Sequence, residues 1–304
     1  MRVLFIFLDG IGLGEDDPAV NPFARAKMPT LNGLLDGRSL LKAGAPYFGE
    51  HATLLAVNPA VGVNGLPQSA TGQAILLTGT NIPAEIGYHY GPKPNREVAA
   101  FLNEGTLFSR LAKEGKKTAL LNAYPPRYFQ GIDSGKRLYS SIPLAVTNAG
   151  LPLFRQDALY AGRALSADFT GEGWRMMLGF PDSPVMDPDQ AGRKLAALAQ
   201  EYDFSLFEYW ASDYAGHKQQ METAVELMET FDAVLSGLTE AWDDDGLILI
   251  TSDHGNMEDL STRKHTDADV PALVLGNKEA RAEFTRDMKD LTDIAPAIWR
   301  TVMH

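Results

Sequence analysis

Residues 247–275 read LILITSDHGNMEDLSTRKHTDADVPALVL. Two short apolar runs, residues 247–250 and 270–275, enclose a polar loop that holds two histidines and several carboxylates. Continuous apolar runs of this length are typical of strands buried on both faces of a parallel sheet. Because ligands bind beyond the carboxyl ends of such strands, we expect the enclosed loop to belong to a functional site.

The rest of the chain repeats this pattern of short apolar runs and helices. Comparable runs occur at residues 3–8, 118–121 and around 204–209. Apolar residues step by three and four over residues 221–242, and Asp187-Pro188 supplies an N-cap and a proline for a second helix. The alternation predicts an α/β fold with a mostly parallel central sheet flanked by helices.

One segment departs from this pattern. Residues 127–186 are rich in glycine, proline and serine and lack long helical periods. We expect them to form a small inserted cap or substrate domain. The catalytic core would then consist of residues 1–126 and 187–304.

Composition limits the kinds of function. With 27 Lys+Arg against 39 Asp+Glu, the formal charge is -12, which disfavours nucleic acid or an anionic membrane as the main partner. The chain has no cysteine, which excludes disulfides, thiolate metal sites and cysteine nucleophiles. The apolar run before Asp9 is too short for a signal peptide, so we expect it to be a strand and the protein to be cytoplasmic.

Polar residues cluster after the predicted strands or before a helix. They are Asp9 after the first strand, Ser69 and Thr71 where a Gly- and Pro-rich loop enters an apolar helix, Asp213 and His217 after residues 204–209, and Asp253, His254 and His265 in the opening loop. Carboxylates and imidazoles without a thiolate suit Mn²⁺ or Zn²⁺. They are numerous enough for two ions, which together can clamp a phosphoryl group. Ser69, at a helix N-terminus, would be the nucleophile.

Taken singly, each of these residues has an ordinary structural explanation. An aspartate that ends a strand is a common turn residue, Asp213 and His217 could be a helix cap and a surface histidine, and Ser69 could be an N-cap. Their joint occurrence after predicted strands favours the metal site.

Five segments resemble the successive metal and nucleophile motifs of the alkaline phosphatase superfamily, in order and in internal spacing. They are LDGIG, QSATGQ, DYAGH, TSDHGNMED and KHTDADVP. The resemblance is closest to the branch of cofactor-independent phosphoglycerate mutase and phosphopentomutase. It covers roughly residues 1–125 and 187–304 and does not extend to the expected cap.

The resemblance implies two divalent metal ions, Mn or Zn, and a small phosphorylated substrate. Asp213, His217 and His265 would bind one ion. Asp9, Asp253 and His254 would bind the other. Ser69 would lie between them and become transiently phosphorylated, with Thr71 as its structural neighbour; an exchange of these two roles is the alternative.

Two departures count against the particular activity of cofactor-independent phosphoglycerate mutase. Gln73 stands where the mutases have a histidine, and the inserted segment is far shorter than the domain of cofactor-independent phosphoglycerate mutase. We therefore expect a phosphomonoesterase. The alternatives are an intramolecular mutase acting on a phosphosugar or phosphoglycerate, and a catalytically silent metal-binding module.

Other polar residues near these motifs are expected to support or line the site rather than to bind metal. We expect Asn256 and Glu258 to support the metal ligands. Tyr88, His89 and Tyr90 either line the pocket or belong to a packed loop. The expected cap also contains cations able to bind a phosphate, which surface exposure explains equally well: Arg127, Lys136, Arg137, Arg155, Arg163 and Arg175.

Overall fold

The computed structural model describes residues 1–243 and 245–304. The strands within them are β1 (Arg2–Leu8), β2 (Tyr47–Phe48), β3 (Ala52–Val57), β4 (Thr118–Leu120), β5 (Ala123–Tyr124), β6 (Phe154–Arg155), β7 (Phe204–Tyr209), β8 (Gly246–Thr251) and β9 (Val270–Leu275).

The helices surround these strands. They are α1 (Pro29–Leu34), α2 (Ser69–Thr78), α3 (Ile82–Ile86), α4 (Arg96–Glu104), α5 (Leu107–Lys113), α6 (Pro126–Asp133), α7 (Ser141–Asn148), α8 (Gln156–Tyr160), α9 (Glu172–Met176), α10 (Pro188–Ala199), α11 (Ala211–Lys218), α12 (Met221–Ala241), α13 (Lys278–Phe284) and α14 (Ile294–Met303). Short 3₁₀ turns lie at Pro22–Ala24, Lys42–Gly44 and Leu291–Asp293. Among the helices described, none combines the length and the apolar character that crossing a lipid bilayer requires.

The central sheet has seven strands in the order β2-β3-β9-β8-β1-β7-β4. Strands β8, β1, β7 and β4 are mutually parallel, whereas β9 runs antiparallel to both β8 and β3. The predicted α/β fold with a central sheet flanked by helices is confirmed, and the sheet is mixed. The loop after β8 returns to the sheet without a helical crossover, which makes β9 antiparallel to β8. Sequence analysis did not assign β3.

The apolar runs are continuous because both faces of the sheet are buried. On β1, Val3, Phe5 and Phe7 pack into the core beneath α2 and α14. Leu4, Ile6 and Leu8 pack on the opposite face, beneath α10 and α12. Alternate side chains of one strand therefore supply two separate cores.

The segment 127–186 contributes to the first of these cores. Phe129, Ile142 and Val146 belong to the same buried cluster as Phe5. Helix α7 packs against α2, α4 and α5. The division of the chain into a core and a cap domain stays a prediction.

Three parallel strands bring the polar loops to one edge of the sheet. Asp9 follows β1, α11 begins just after β7, and Asp253 follows β8. The register aligns Leu8 with Tyr209 and Phe7 with Thr251, so these loops leave the sheet side by side. Residues far apart along the chain therefore meet beyond the carboxyl ends of the strands.

Helices α10 and α12 cross closely because glycines lie at their contact. A Cβ on Gly192 would lie 1.9 Å from the carbonyl oxygen of Val234, and one on Gly237 would lie 1.9 Å from that of Asp189. These carbonyl groups belong to the helix backbone, which cannot move aside as a flexible side chain can. Any larger residue here must push the two helices apart.

We expect Gly192→Ala to lower the free energy of unfolding by about 2 kcal/mol or more, because the added methyl group overlaps the α12 backbone. Gly33→Ala in α1 is the matched control, since no atom lies within 4 Å of the added Cβ. It should stay within about 1 kcal/mol of the wild type. Urea unfolding of the three proteins measures this, and equal stabilities of the two variants would contradict the packing argument.

Candidate metal centre and nucleophile

Ser69 is the first residue of α2, and its side chain faces the loop after β8. Its Oγ lies 3.0 Å from Nε2 of His254. Thr71 is engaged differently: its hydroxyl donates to the carbonyl of Gln68 and accepts the backbone N–H of Tyr90, at 3.1 and 3.2 Å. Thr71 thus holds the loop before α4 in place, whereas the hydroxyl of Ser69 faces the candidate metal ligands.

Asp9, Asp253 and His254 meet at the ends of β1 and β8. The imidazole Nε2 of His254 lies 3.4 Å from Oδ1 of Asp9 and 3.6 Å from Oδ2 of Asp253. The side chains of His254 and Asp253 are fully buried. One polar atom from each residue therefore points toward a common space beside Ser69.

Asp213, His217 and His265 form an adjoining group. Asp213 and His217 are four residues apart on α11, which places them on one face, and Oδ2 of Asp213 lies 3.3 Å from Nε2 of His217. His265 brings its Nε2 to 3.3 Å from that of His217. The rings of His254 and His265 stack at a centroid separation of 3.7 Å, which places the two groups side by side.

The three imidazoles share an orientation that suits metal binding. Nδ1 of His217 lies 2.7 Å from the carbonyl oxygen of Arg263, and Nδ1 of His265 lies 2.8 Å from that of Pro67. Nδ1 of His254 faces the carbonyl of Gly255 at a longer 3.4 Å. A carbonyl can only accept, so it holds the proton on Nδ1 and leaves the Nε2 lone pair free for the centre.

The charges at the centre also favour a bound cation. Burial raises the pKa of Asp9 well above its ordinary value, and the neighbouring carboxylates of Asp253 and Asp213 raise it further. Burial, followed by Asp213, raises the pKa of Asp253 to about 8. Burial, followed by His265, lowers the pKa of His254. Within the described residues, the buried Oδ1 of Asp9 has no hydrogen-bond partner. A positive ion would satisfy that oxygen and offset the repulsion.

Two groups of three residues each bring one possible ligand atom per residue together, with the three atoms of a group within 4.8 Å of one another. The groups are Asp213, His217 and His265, and Asp9, Asp213 and His254. The first is the set that sequence analysis grouped. The second contains Asp213 in place of Asp253, so Asp213 faces both groups. Asp253 lies deeper, where its carboxylate faces the N–H of Gly10 at 3.5 Å and the amide of Gln73 at 3.4 Å.

Comparison with known proteins agrees with this geometry. Residues 182–303 match the family model described as the Metalloenzyme superfamily. A 2,3-bisphosphoglycerate-independent phosphoglycerate mutase from Ectopseudomonas mendocina is 32% identical over 146 residues, a match that covers 43% of this chain and 28% of the mutase. This part of the chain therefore resembles the Metalloenzyme superfamily. This finding confirms the resemblance inferred from the motifs, and the superfamily implies divalent metal ions.

Solved structures share the fold of this chain. The PH0037 protein from Pyrococcus horikoshii aligns with a TM-score of 0.55 and 15% identity, covering 99% of this chain and 96% of its own. Alkaline phosphatase from the Antarctic bacterium TAB5 aligns with a TM-score of 0.52 and 13% identity, covering 99% and 97%. The α/β fold of this chain therefore resembles that of the TAB5 alkaline phosphatase.

The loop after β8 is held by a buried carboxylate. Oε2 of Glu258 accepts the backbone N–H groups of Gly12 and Asn256, at 2.9 and 2.7 Å. Asn256 in turn donates through Nδ2 to Oδ1 of Asp213 at 2.6 Å. Burial raises the pKa of Glu258. These contacts support the predicted roles of Asn256 and Glu258 as residues that orient the ligands.

Sequence analysis missed one buried carboxylate near the centre. Glu208, in β7, accepts a hydrogen bond from the hydroxyl of Tyr124, and its backbone pairs with the side chain of Asn122. Burial raises the pKa of Glu208 to about 7. The available signal was an acidic residue inside an apolar strand, FSLFEY, where a charge is costly.

His89 lies apart from the candidate ligands. It is half-buried, and its Nε2 faces the carbonyl of Val63 at 3.3 Å. Tyr88 donates to Glu97, and the backbone of Tyr90 bonds to Thr71. These contacts favour the packed-loop explanation for residues 88–90.

We expect excess chelator to lower the melting temperature by about 5 °C or more, because the buried carboxylates then lose the charge that offsets their repulsion. Differential scanning fluorimetry with and without EDTA measures the shift. Readdition of Mn²⁺ or Zn²⁺ should restore the original value. An unchanged melting temperature in chelator would contradict a metal centre.

His217→Ala is expected to reduce the metal bound per chain, since it removes one of three candidate ligands from the more exposed group. His89→Ala is the matched control, because it removes a histidine that lies outside the centre. Elemental analysis of the purified proteins measures the metal content. Retention of the full content by His217→Ala would exclude His217 as a ligand.

Proposed function

We propose that the protein is a two-metal phosphoryl-transfer enzyme that hydrolyses a small phosphate monoester through a phosphoserine at Ser69. One observation carries the proposal: a nearly buried serine hydroxyl, 6% exposed and 3.0 Å from His254, adjoins two groups of carboxylates and imidazoles. A purely structural ion needs no hydroxyl beside it. The arrangement supplies a nucleophile together with the ligands that would activate it.

In this proposal, Asp213, His217 and His265 hold one Mn²⁺ or Zn²⁺. Asp9, Asp253 and His254 hold the other, with the Asp213 carboxylate facing both positions. When bound, the ions would lower the pKa of the serine hydroxyl and offset negative charge on the phosphoryl oxygens. The donor set fits such ions because it combines carboxylates with neutral imidazoles.

The position of Ser69 is fixed by its place at the start of α2. Gly72 N–H bonds to the carbonyl of Gln68 at 2.9 Å, so the first turn of the helix is closed around Ser69. In the first step Ser69 Oγ loses its proton and bonds to phosphorus, while the ester P–O bond breaks and the alcohol leaves with a proton. Water then attacks the phosphoserine, which releases inorganic phosphate and returns the proton to Ser69.

A mutase remains the second candidate because the matched relative is a phosphoglycerate mutase. That match covers 28% of the mutase, so it does not extend to a complete second domain. Gln73, at the position where the mutases carry histidine, is 4% exposed and directs its amide to Asp253. A buried amide that supports a ligand gives no proton-transfer group at this position, which favours hydrolysis.

Incubation with a panel of phosphorylated sugars and acids separates these candidates. A phosphatase releases inorganic phosphate, whereas a mutase yields only positional isomers of the substrate. Wild-type protein that retains its metal but turns over no member of the panel would favour the silent metal-binding module.

Ser69→Ala should reduce turnover roughly a thousandfold or more while the metal content is retained, because the nucleophile is lost and the ligands are not. Thr71→Ser, which keeps a hydroxyl at the neighbouring position, is the matched control and should remain active. Mass spectrometry of acid-quenched reactions should locate the phosphoryl group on Ser69. Unchanged turnover in Ser69→Ala, or a phosphopeptide modified at Thr71, would exclude this nucleophile.

A further inference from the structure

Two large aromatic side chains are exposed on α11, the helix that carries Asp213 and His217. Trp210, at the N-cap of α11, is 54% exposed, and Tyr214, one turn later, is 59% exposed. Residues four apart on a helix are neighbours, so the two rings form one contiguous apolar surface, here called the aromatic row. Adjacent exposed rings, unlike a single exposed residue, indicate contact with another molecule.

The buried face of α11 fixes how the helix is rotated about its axis. Ser212 and Gly216 are buried, and Ser212 Oγ donates to the carbonyl of Asp9 at 2.6 Å. A Cβ on Gly216 would lie 2.6 Å from Oδ1 of Asn256, so the helix presses closely against the loop after β8. The aromatic row cannot turn inward, because these contacts hold the opposite side of α11 against the core.

The aromatic row lies directly beside the candidate metal ligands. The carbonyl of Trp210 accepts the N–H of Tyr214 at 3.4 Å, so helical spacing extends back to Trp210. At 3.6 residues per turn, His217 lies about 40° around the helix from Asp213, and the aromatic row begins about 20° further on. Each ring is three residues before a ligand, a spacing that separates Cβ atoms by about 5–6 Å. A phosphate ester held at the metal centre would therefore extend its leaving group along these rings.

A positive charge continues the aromatic row at its far end. Lys218 is one turn beyond Tyr214, and its ammonium nitrogen lies 5.5 Å from the centroid of the Tyr214 ring. In a chain whose net charge is -12, this cation favours an anionic visitor over a neutral one. The charge thus matches a substrate that brings a phosphate, and the rings match an apolar part of the same molecule.

Other tryptophans of the chain show what a structural role looks like. Trp242 donates its indole N–H to the carbonyl of Gly246 at 3.1 Å. The guanidinium carbon of Arg110 lies 4.6 Å from the ring centroid of Trp299. Among the residues that the structure describes, no aromatic ring or cation stacks on Trp210. Its ring faces are therefore available to a ligand.

We propose that Trp210 and Tyr214 stack on a flat aromatic ring in the leaving group of the substrate, while the phosphoryl group lies at Ser69. This inference rests on the proposed function and narrows its substrate class to phosphate monoesters whose alcohol carries an aryl group or a nucleobase. Stacking on exposed aromatic side chains accepts any flat ring, because it needs no fixed hydrogen-bond pattern. Such contacts form in the ground state as well as the transition state, so they act mainly on KM.

Three substrates test the aromatic row: phenyl phosphate, adenosine monophosphate and glycerol phosphate, which has no ring. Trp210→Ala should lower the ratio of kcat/KM for phenyl phosphate to that for glycerol phosphate roughly tenfold, through KM. Tyr214→Ala should act in the same direction. Trp210→Phe keeps a ring and should recover most of the preference. The aromatic ester that loses more identifies the ring, aryl or nucleobase, that the row accepts.

Phe48→Ala is the matched control, because it removes a ring that is 68% exposed on β2. In the sheet order β2 lies five strands from β7, a distance of about 24 Å. This variant should leave the substrate preference unchanged. An equal loss on glycerol phosphate, or an unchanged preference in Trp210→Ala, would overturn the inference.

Other occupants of the aromatic row give different results. Gel filtration and co-sedimentation with phosphatidylcholine vesicles compare the wild type with Trp210→Ala. If the substitution abolishes self-association or vesicle binding and leaves the substrate preference intact, the row binds a second copy or a membrane, and the leaving-group inference is wrong. We expect both measurements to be the same for the two proteins.

A binding measurement keeps this inference separate from the catalytic proposal. Calorimetric titration of metal-loaded Ser69→Ala should show phenylphosphonate binding roughly tenfold more tightly than methylphosphonate, and adding Trp210→Ala should remove most of that difference. If the wild type proves inactive but this preference persists, the aromatic row stands and the phosphoserine mechanism falls. If phosphoserine forms but the two phosphonates bind equally, the aromatic row falls and the mechanism stands.

Discussion

The structure depends on a cluster of buried carboxylates that cannot all be ionised without a neutralising charge. Asp9 and Asp253 follow β1 and β8, Asp213 lies in α11 after β7, and burial and mutual repulsion raise the pKa values of Asp9 and Asp253. Imidazoles oriented by backbone carbonyls complete the cluster. Bound divalent ions would offset the repulsion, so the same side chains would couple stability to metal binding and supply the chemistry.

Close backbone contacts make this convergence possible. Gly10 has a φ of +68°, and a Cβ added to it would lie only 2.7 Å from Oδ1 of Asp213. Both the backbone conformation and the nearby carboxylate therefore exclude a side chain at this position. Gly72 lets α2 approach Asp253, since its Cβ would lie 2.7 Å from that of the aspartate. The proposed nucleophile and the most deeply buried carboxylate can therefore come together because glycines leave space between their segments.

The acidic character of the chain gives cations near the candidate site particular weight. A substrate that carries negative charge meets a protein with an excess of carboxylates, so recognition depends on local positive charge. The loop after α3 and the segment before α7 both contact the first turn of α2, and the Lys93 ammonium of the former donates to the carbonyl of Leu138 in the latter at 2.8 Å. The contacts that position Ser69 thus also position Lys93 and Arg137.

The sequence alone determined the fold class, the strands that carry the site and the residue types that could bind metal. Apolar runs at residues 204–209 and 270–275 correspond to β7 and β9 without any shift, because burial on both faces leaves a continuous apolar signal. Asp187 caps α10 as predicted, with its side chain accepting the N–H of Gln190 at 2.8 Å. Local pattern and local capping were sufficient for these elements.

Only the tertiary structure decided how the parts meet. That β9 runs antiparallel to β8, that Asp213 faces both ligand groups, and that Lys93 lies beside Arg137 all follow from contacts between distant segments. No period or spacing along the chain encodes such distances. Sequence determines which side chains are available and on which elements they lie, whereas packing of those elements determines which side chains share one space.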